Sequence, residues 1–214
     1  MRLAELWRYP VKSMGGEPLS EAYVDGAGVP GDRVVHVEGR RGRVVTSRSR
    51  PGLLLHHGTL GPDGEPLVDG RAWRSPEVAA DVRDAAGRDA RLVRDDGLER
   101  FDVLPLLIAT DGAVASLGYD RRRFRPNLLI GGVGGLAERE WEGRLLHVGG
   151  ATIRMVSLRQ RCIMTTFDPD TAEQDTDVLL RIHRELGGRL ALDCEVVQPG
   201  RIAVGDTVVV GPDA

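Results

Sequence analysis

Arg159-Gln160-Arg161-Cys162-Ile163-Met164-Thr165-Thr166-Phe167-Asp168-Pro169-Asp170-Thr171 is the stretch whose residue types offer the most chemistry. Its cysteine follows a basic pair, and nearby positive charge favours the thiolate, which serves either as a nucleophile or as a soft metal ligand. A lone cysteine also packs as a small hydrophobe, and that is the commoner use of one. The chain has no CxxC, no HExxH and no EF-hand loop, and His36, His56, His57, His147 and His183 lack ligand spacing. Any metal held by Cys162 must therefore bring most of its own ligands. A Cys-His-Asp hydrolase would need His147 or His183 to approach Cys162, and no sequence feature supports that. Cys194 lies in an alternating apolar run and reads as core.

Further polar groups are ambiguous one by one. Lys12 and Ser13 end the first apolar run, Arg33 follows Gly31-Asp32, and Thr46-Ser47-Arg48 follows another short run. Lysine, arginine and hydroxyls in such places hold phosphates, and they are equally ordinary turn residues. The cluster Arg121-Arg122-Arg123 reads as a solvated face. Arg125-Pro126-Asn127 is more directed, because proline fixes the backbone between a cation and an amide, a geometry suited to an anion. Gly132-Val133-Gly134-Gly135-Leu136-Ala137 matches the dinucleotide fingerprint, but Trp141-Glu142-Gly143 ends any helix too soon for that fold.

The elements that must position these groups are short. Gly 28 and Pro 12 in 214 residues exceed ordinary usage and favour many strands and turns. Strands are expected over residues 2–9, 19–24, 32–37, 43–46, 53–57, 104–109, 127–130, 144–148, 152–158, 194–198 and 207–210. Thr110-Asp111-Gly112 supplies N-cap chemistry for a short helix through Leu117. Val178, Leu179, Ile182 and Leu186 form one face of a helix over 177–186, closed by Gly187-Gly188. Residues 61–99 read as loops and a seam, which sets domains of 1–75 and 76–214. A net charge of -3 gives no footprint for nucleic acid. With no leader and no long apolar run, a cytoplasmic, membrane-free protein with free thiols is expected.

Taken in order, LWRYPVKS, GDRVV, VVTSR, PLLIATDGA, RFRPNLLI, RCIMTTFDPDT and PGRIAVGDTV resemble the MOSC family, named for the C-terminal domain of molybdenum cofactor sulfurases. The likeness spans nearly the whole chain. It is greatest to the branch with an N-terminal β-barrel domain, which includes the mitochondrial amidoxime-reducing component and bacterial hydroxylaminopurine-detoxifying proteins. The fold this implies is mainly β (α+β), with a small N-terminal β-barrel packed on a MOSC β-barrel carrying a few short helices.

The resemblance implies a molybdenum-molybdopterin cofactor whose dithiolene supplies two sulfurs, with Cys162 as the protein's ligand. It gathers Lys12, Ser13, Arg33, Arg125 and Asn127 into one anion site for the molybdopterin phosphate. It adds Thr110, Asp111 and Gly112 from a cofactor-contacting loop, Gln160 and Arg161 beside the cysteine, and Asp193 where animal relatives carry Tyr. Asp168 is assigned, with Cys162, to the catalytic side. The implied activity is reduction of N-hydroxylated substrates such as hydroxylamines, amidoximes or N-hydroxylated bases. Its electrons would come from a separate ferredoxin, flavoprotein or cytochrome donor. The alternative is a carrier that uses Cys162 as a persulfide or docking thiol. The cofactor-sulfurase relatives add a pyridoxal-phosphate desulfurase, for which this chain has no room.

Overall fold

The structure, a computed structural model, describes residues 1–213. In chain order its strands and helices are β1 (Arg2–Arg8), β2 (Glu17–Leu19), β3 (Glu21–Val24), β4 (Val35–Glu38), β5 (Val44–Val45), β6 (Gly58–Leu60), β7 (Pro66–Val68), β8 (Arg71–Ala72), α1 (Pro76–Ala86) and β9 (Arg91–Arg94). There follow β10 (Leu106–Thr110), α2 (Asp111–Leu117), β11 (Leu128–Gly131), β12 (Arg144–Val148), β13 (Ala151–Gln160), α3 (Asp177–Leu186), β14 (Arg189–Gln198), β15 (Gly200–Ala203) and β16 (Val208–Asp213). The protein is mainly β, as expected.

Eight strands form one mixed sheet in the order β16-β12-β13-β14-β10-β11-β1-β2, in which only β10 and β11 run parallel. Arg2 bridges Thr207, and the Val208 amide donates to the Met1 carbonyl at 3.0 Å, so the first strand meets the last and the sheet curls on itself. Closure of this kind leaves fewer unpaired edge groups. Every residue of β10 is buried because its alternate side chains serve two cores. Leu106 and Ile108 point into the large core with Leu3, Leu128 and Ile153, while Leu107 and Ala109 pack with Leu129 and Ala191 on the other face.

A second core is built from residues between Val11 and Ala90, including Val35, Leu53, Val78 and Val82. It carries two three-stranded sheets, β5-β4-β9 and β6-β7-β8. The expected seam at residue 75 falls inside this unit, since β9 pairs with β4 and α1 packs against the same core. The stretch expected to be loops holds β7, β8, α1 and β9. The helix signal was local: the Ser75 hydroxyl accepts from the Val78 amide at 3.2 Å, Pro76 fits the first turn, and Val78, Val82 and Ala86 recur on one buried face. Residues 53–57 are not a strand either. Pro51 starts a 3₁₀ turn over Pro51–Leu55 that buries Leu53 and Leu54.

Both helices expected downstream form as expected. Thr110 caps α2 by accepting from the Ala113 amide at 3.2 Å. Gly187, at φ 63, supplies the left-handed residue that ends α3. These helices share a third core, with Leu117 and Phe124 against Val178, Ile182 and Leu186. Among the described residues no helix is long and apolar enough to cross a membrane.

Gly112 in α2 is tied to the loop after β11, because a Cβ there would run into the carbonyl oxygens of Val133 and Gly135. Gly112→Ala is expected to cost about 1–3 kcal/mol, measured as a lower urea midpoint with an unchanged slope.

Candidate functional site

A cleft of about 860 Å³, its open mouth included, lies where the two large cores meet. The N-terminal unit contributes Lys12 and Ser13 from the turn after β1, Arg33 from the loop before β4, and Arg48 from the loop after β5. The other side contributes Arg123, Arg125 and Asn127 from the approach to β11, and Arg159 to Cys162 from the end of β13 and the turn that follows it. Three of these residues, Ser13 (φ 74), Arg33 (φ 56) and Arg125 (φ 54), hold left-handed backbone that non-glycine residues rarely adopt. Such strain persists only where the surroundings impose it, and it gathers at ligand clamps.

The cleft is strongly cationic although the chain as a whole is acidic. Seven lysine and arginine side chains line it against one carboxylate, that of Asp102. Asp102 accepts from Lys12 at 2.8 Å and from Arg48. Burial works to raise the Asp102 carboxyl, but Lys12, Arg48 and Arg33 hold it below its usual value. Other cations are balanced from behind the wall: Arg33 by Asp32, Arg123 by Asp168 at 2.8 Å, and Arg159 by Asp193 at 2.6 Å.

Arg125 and Arg161 have no carboxylate partner among the described residues. Arg125 is 9% exposed, its guanidinium carbon lies 4.2 Å from the centroid of the Tyr9 ring, and its Nη2 has no hydrogen-bond acceptor. Arg161 donates from one nitrogen to the Phe124 carbonyl at 2.9 Å, while its Nε is buried without an acceptor. Burial lowers each of these two guanidinium groups to about 10. Arg159 Nε is orphaned as well. A buried cation without a partner is unfavourable, and an anion in the cleft supplies the missing acceptors and charge.

Cys162 is half-buried on the wall of this cleft and begins the 3₁₀ turn Ile163–Thr166. Its carbonyl accepts from the Thr165 hydroxyl at 2.9 Å and from the Thr165 amide at 3.1 Å, which fixes the backbone from which the sulfur projects. Arg48 faces both Asp102 and Cys162. Burial works to lower Arg48, but the Asp102 carboxylate and then the Cys162 sulfur outweigh it and raise it above its ordinary value. Cys194, by contrast, is fully buried, and desolvation pushes its thiol well above the ordinary range. Among the described residues no three His, Cys, Asp or Glu side chains converge as metal ligands.

Of the residues singled out in the sequence, the fold brings Lys12, Ser13, Arg33, Arg125, Asn127, Gln160, Arg161 and Cys162 to this one cleft. Asn127 is there as a tie: its amide oxygen accepts from the Leu107 amide at 3.2 Å, and its nitrogen donates to the Trp7 carbonyl at 3.3 Å and to Asp32 at 3.2 Å. Fully bonded, it holds β1, β10 and the Asp32 loop together beneath the cations.

Thr110, Asp111 and Gly112 do not reach the cleft. Leu107 lines it, and three residues along a strand carry the chain about 10 Å further. The Asp111 carboxylate accepts instead from the amides of Gly132 at 2.7 Å and Val133 at 3.0 Å, so the glycine loop that mimics a dinucleotide fingerprint wraps an internal anion. Asp193 is buried behind Arg159, and burial raises its carboxyl against the pull of Arg159 and Arg161. Asp168 also stands off the cleft wall. One of its oxygens accepts from the Asp170 and Thr171 amides and the other from Arg123, so it positions Arg123. Thr46, Arg48 and Arg159, from stretches that the sequence also marks, line the cleft as well, as do Arg123, from the basic cluster read as a solvated face, and Asp102, which nothing in the sequence singles out.

Residues 1–112 match the MOSC N-terminal beta barrel domain, and residues 111–209 match the MOSC domain. The chain is 28% identical to mitochondrial amidoxime-reducing component 1 of Homo sapiens, over 96% of this chain and 82% of that one. It is 29% identical to mitochondrial amidoxime reducing component 2 of Macaca fascicularis, over 81% of this chain and 68% of that one. Among solved structures, the YUAD protein from Bacillus subtilis aligns over 98% of this chain and 94% of its own with a TM-score of 0.54. At 15% identity that likeness is one of fold.

If the orphaned guanidinium groups await an anion, pyrophosphate should stabilise the protein. At a hundred times its Kd, a ligand of the native state adds about 2.7 kcal/mol, which raises Tm by about 5–10 °C in a chain of this size. Arg125→Met is expected to lose most of that shift in a thermal melt, and a Cys194→Ser control to keep it.

Proposed function

The chain belongs to the MOSC family, in the branch where a MOSC N-terminal beta barrel domain precedes the MOSC domain, and on that premise we propose that it is a molybdenum-cofactor-dependent reductase of N-hydroxylated compounds. The observation that carries the reading is the pairing of one half-buried cysteine with buried, acceptor-free guanidinium nitrogens on the wall of a single cationic cleft. Those nitrogens fit an anionic, phosphate-bearing pterin, and a single thiol fits a metal that arrives with other ligands.

In this reading Lys12, Ser13, Arg33 and Arg125 hold the phosphate end, Gln160 and Arg161 line the pterin and metal side, and Cys162 supplies the protein's sulfur ligand. Arg48 faces that sulfur from the N-terminal side of the cleft. When bound, the cofactor supplies the two-electron redox chemistry that no side chain here provides. The overall conversion is R–NHOH plus two electrons and two protons to R–NH₂ plus water. The electrons come from a separate donor of ferredoxin, flavoprotein or cytochrome type. Both cysteines are free thiols, in keeping with a reducing compartment such as the cytoplasm. The relatives are named for amidoxime reduction, which supports N-hydroxylated compounds as the substrate class.

Expression in a host that makes molybdopterin, followed by metal analysis, tests the cofactor. The wild type should carry about one molybdenum per chain and Cys162→Ala tenfold less or lower still; equal, near-zero contents contradict the reading. Given a chemical reductant and benzamidoxime, the loaded protein should then turn over. Failure to do so, with transfer of its cofactor to an apo-enzyme, would establish the carrier role instead.

A further inference from the structure

Two exposed apolar side chains stand at the edge of the cleft, each next in the chain to a residue of its wall. Val103 follows Asp102 and is 56% exposed, and Ile163 follows Cys162 and is 43% exposed. Apolar groups left in water beside a polar site mark a surface that another molecule covers. Ile163 adjoins the residue that carries the sulfur, so whatever covers it comes close to that sulfur.

On the Cys162 side this edge continues into a basic surface. Gln160, exposed on the cleft wall, lies opposite Arg189 where β13 pairs with β14, so the two side chains are neighbours. Gly188 brings the end of α3 up to them. A Cβ there would stand 2.8 Å from Gln160 Nε2 and 2.9 Å from His183 Nδ1, so a glycine is what lets the amide and the imidazole close over this point. Arg139 reaches the same corner, donating to the Leu186 carbonyl at 3.2 Å and the Arg189 carbonyl at 3.1 Å. Arg184 follows His183 in the last turn of α3 and is exposed. Among the described residues Arg139, Arg184 and Arg189 have no carboxylate partner. Glu185 is bound by Arg181 at 2.7 Å and Glu142 by the Leu158 amide, which leaves Glu140 as the unpaired acid of these segments. None of the three arginines lines the cleft, so an anion held there leaves their charge unmatched.

An apolar centre flanked by unmatched cations fits a protein whose own contact face is apolar and ringed by carboxylates, since opposite charge steers the encounter and apolar contact holds it. We propose that this edge of the cleft is the docking site of a small acidic electron-transfer protein, with Val103 and Ile163 inside the contact and Arg139, Arg184 and Arg189 facing its carboxylates. Each R–NHOH reduced takes two electrons, drawn from two one-electron carriers or one fully reduced flavin, and two protons from water. The proposal rests on the function given above only for the need for electrons; the place of docking and the charge of the partner follow from the surface.

Surface plasmon resonance on the full chain tests this, with a plant-type ferredoxin and a flavodoxin as acidic probes and cytochrome c as a basic one. At least one acidic carrier should bind the wild type, more weakly as salt rises, and cytochrome c should not. Arg189→Glu and Ile163→Glu should each weaken that binding by about tenfold or more. Arg40→Glu, at an exposed arginine on the turn between β4 and β5, should change it by less than about twofold. Arg189 is exposed at the start of β14, so its variant keeps the test open if Ile163→Glu fails to fold. Binding of neither acidic carrier, equally tight binding of cytochrome c, or an equal loss in Arg40→Glu overturns the proposal. Molybdenum content and turnover of benzamidoxime with a chemical reductant, read on the same samples, separate the two claims. A loaded, active wild type that binds neither acidic carrier overturns the docking site alone. One that binds an acidic carrier as predicted, with the loss in Arg189→Glu, but holds no molybdenum upholds the docking site and overturns the cofactor reading.

Discussion

Arg125 is buried with its charge unmatched, and the architecture around the seam is arranged to keep it there. Its left-handed backbone, set between a run of arginines and Pro126, aims the side chain across the face of Tyr9. Tyr9 is held in turn by the Asp32 carboxylate, which accepts from its amide at 2.7 Å, and Asp32 is tied to Asn127 two residues beyond Arg125. The Asp32–Asn127 contact therefore joins the N-terminal unit to the central strands at the point where the cation emerges. A carboxylate of the protein's own beside Arg125 would relieve the charge and abolish the site. The fold places Asp32 against Arg33 instead and leaves Arg125 for a ligand.

The same division of labour runs around the cleft. Carboxylates stand behind Arg33, Arg123 and Arg159, fixing each guanidinium while leaving one side free. Asp102 alone faces inward, where it gathers Lys12 and Arg48 near the sulfur. Long-range sheet pairing supplies the stiffness: β13 and β14 are ten-residue partners, and the end of β13 delivers Arg159, Gln160, Arg161 and then Cys162 to the seam. The cleft draws its cations from both units.

Much of this was legible in the residues. The caps of α2 and α3 and the apolar alternation of the central strands are local signals, and local physics decided them. Cys162 and Arg125-Pro126-Asn127 were legible as chemistry because few other stretches combine directed backbone with such side chains. The seam was not, because the Ser75-Pro76-Glu77 helix start reads equally as a turn until Val78, Val82 and Ala86 find a core. Thr110 to Gly112 misled for a related reason: cap chemistry announces free amides but not the glycine loop that delivers its own amides to Asp111. Asn127 was found for its position, while its role as a fully bonded tie depends on partners distant in the chain. Arg123 reads as a solvated charge, and Arg48 equally as a phosphate holder or a turn residue, until the two units close around them.

The central claim is that this cleft presents Cys162 to a metal held by an anionic, sulfur-bearing cofactor. X-ray absorption at the molybdenum edge, on wild type and on the metal that Cys162→Ser retains, tests it most directly. The account predicts one sulfur neighbour fewer around molybdenum in the variant, with the rest of the shell preserved. The same sulfur count in both proteins would contradict it.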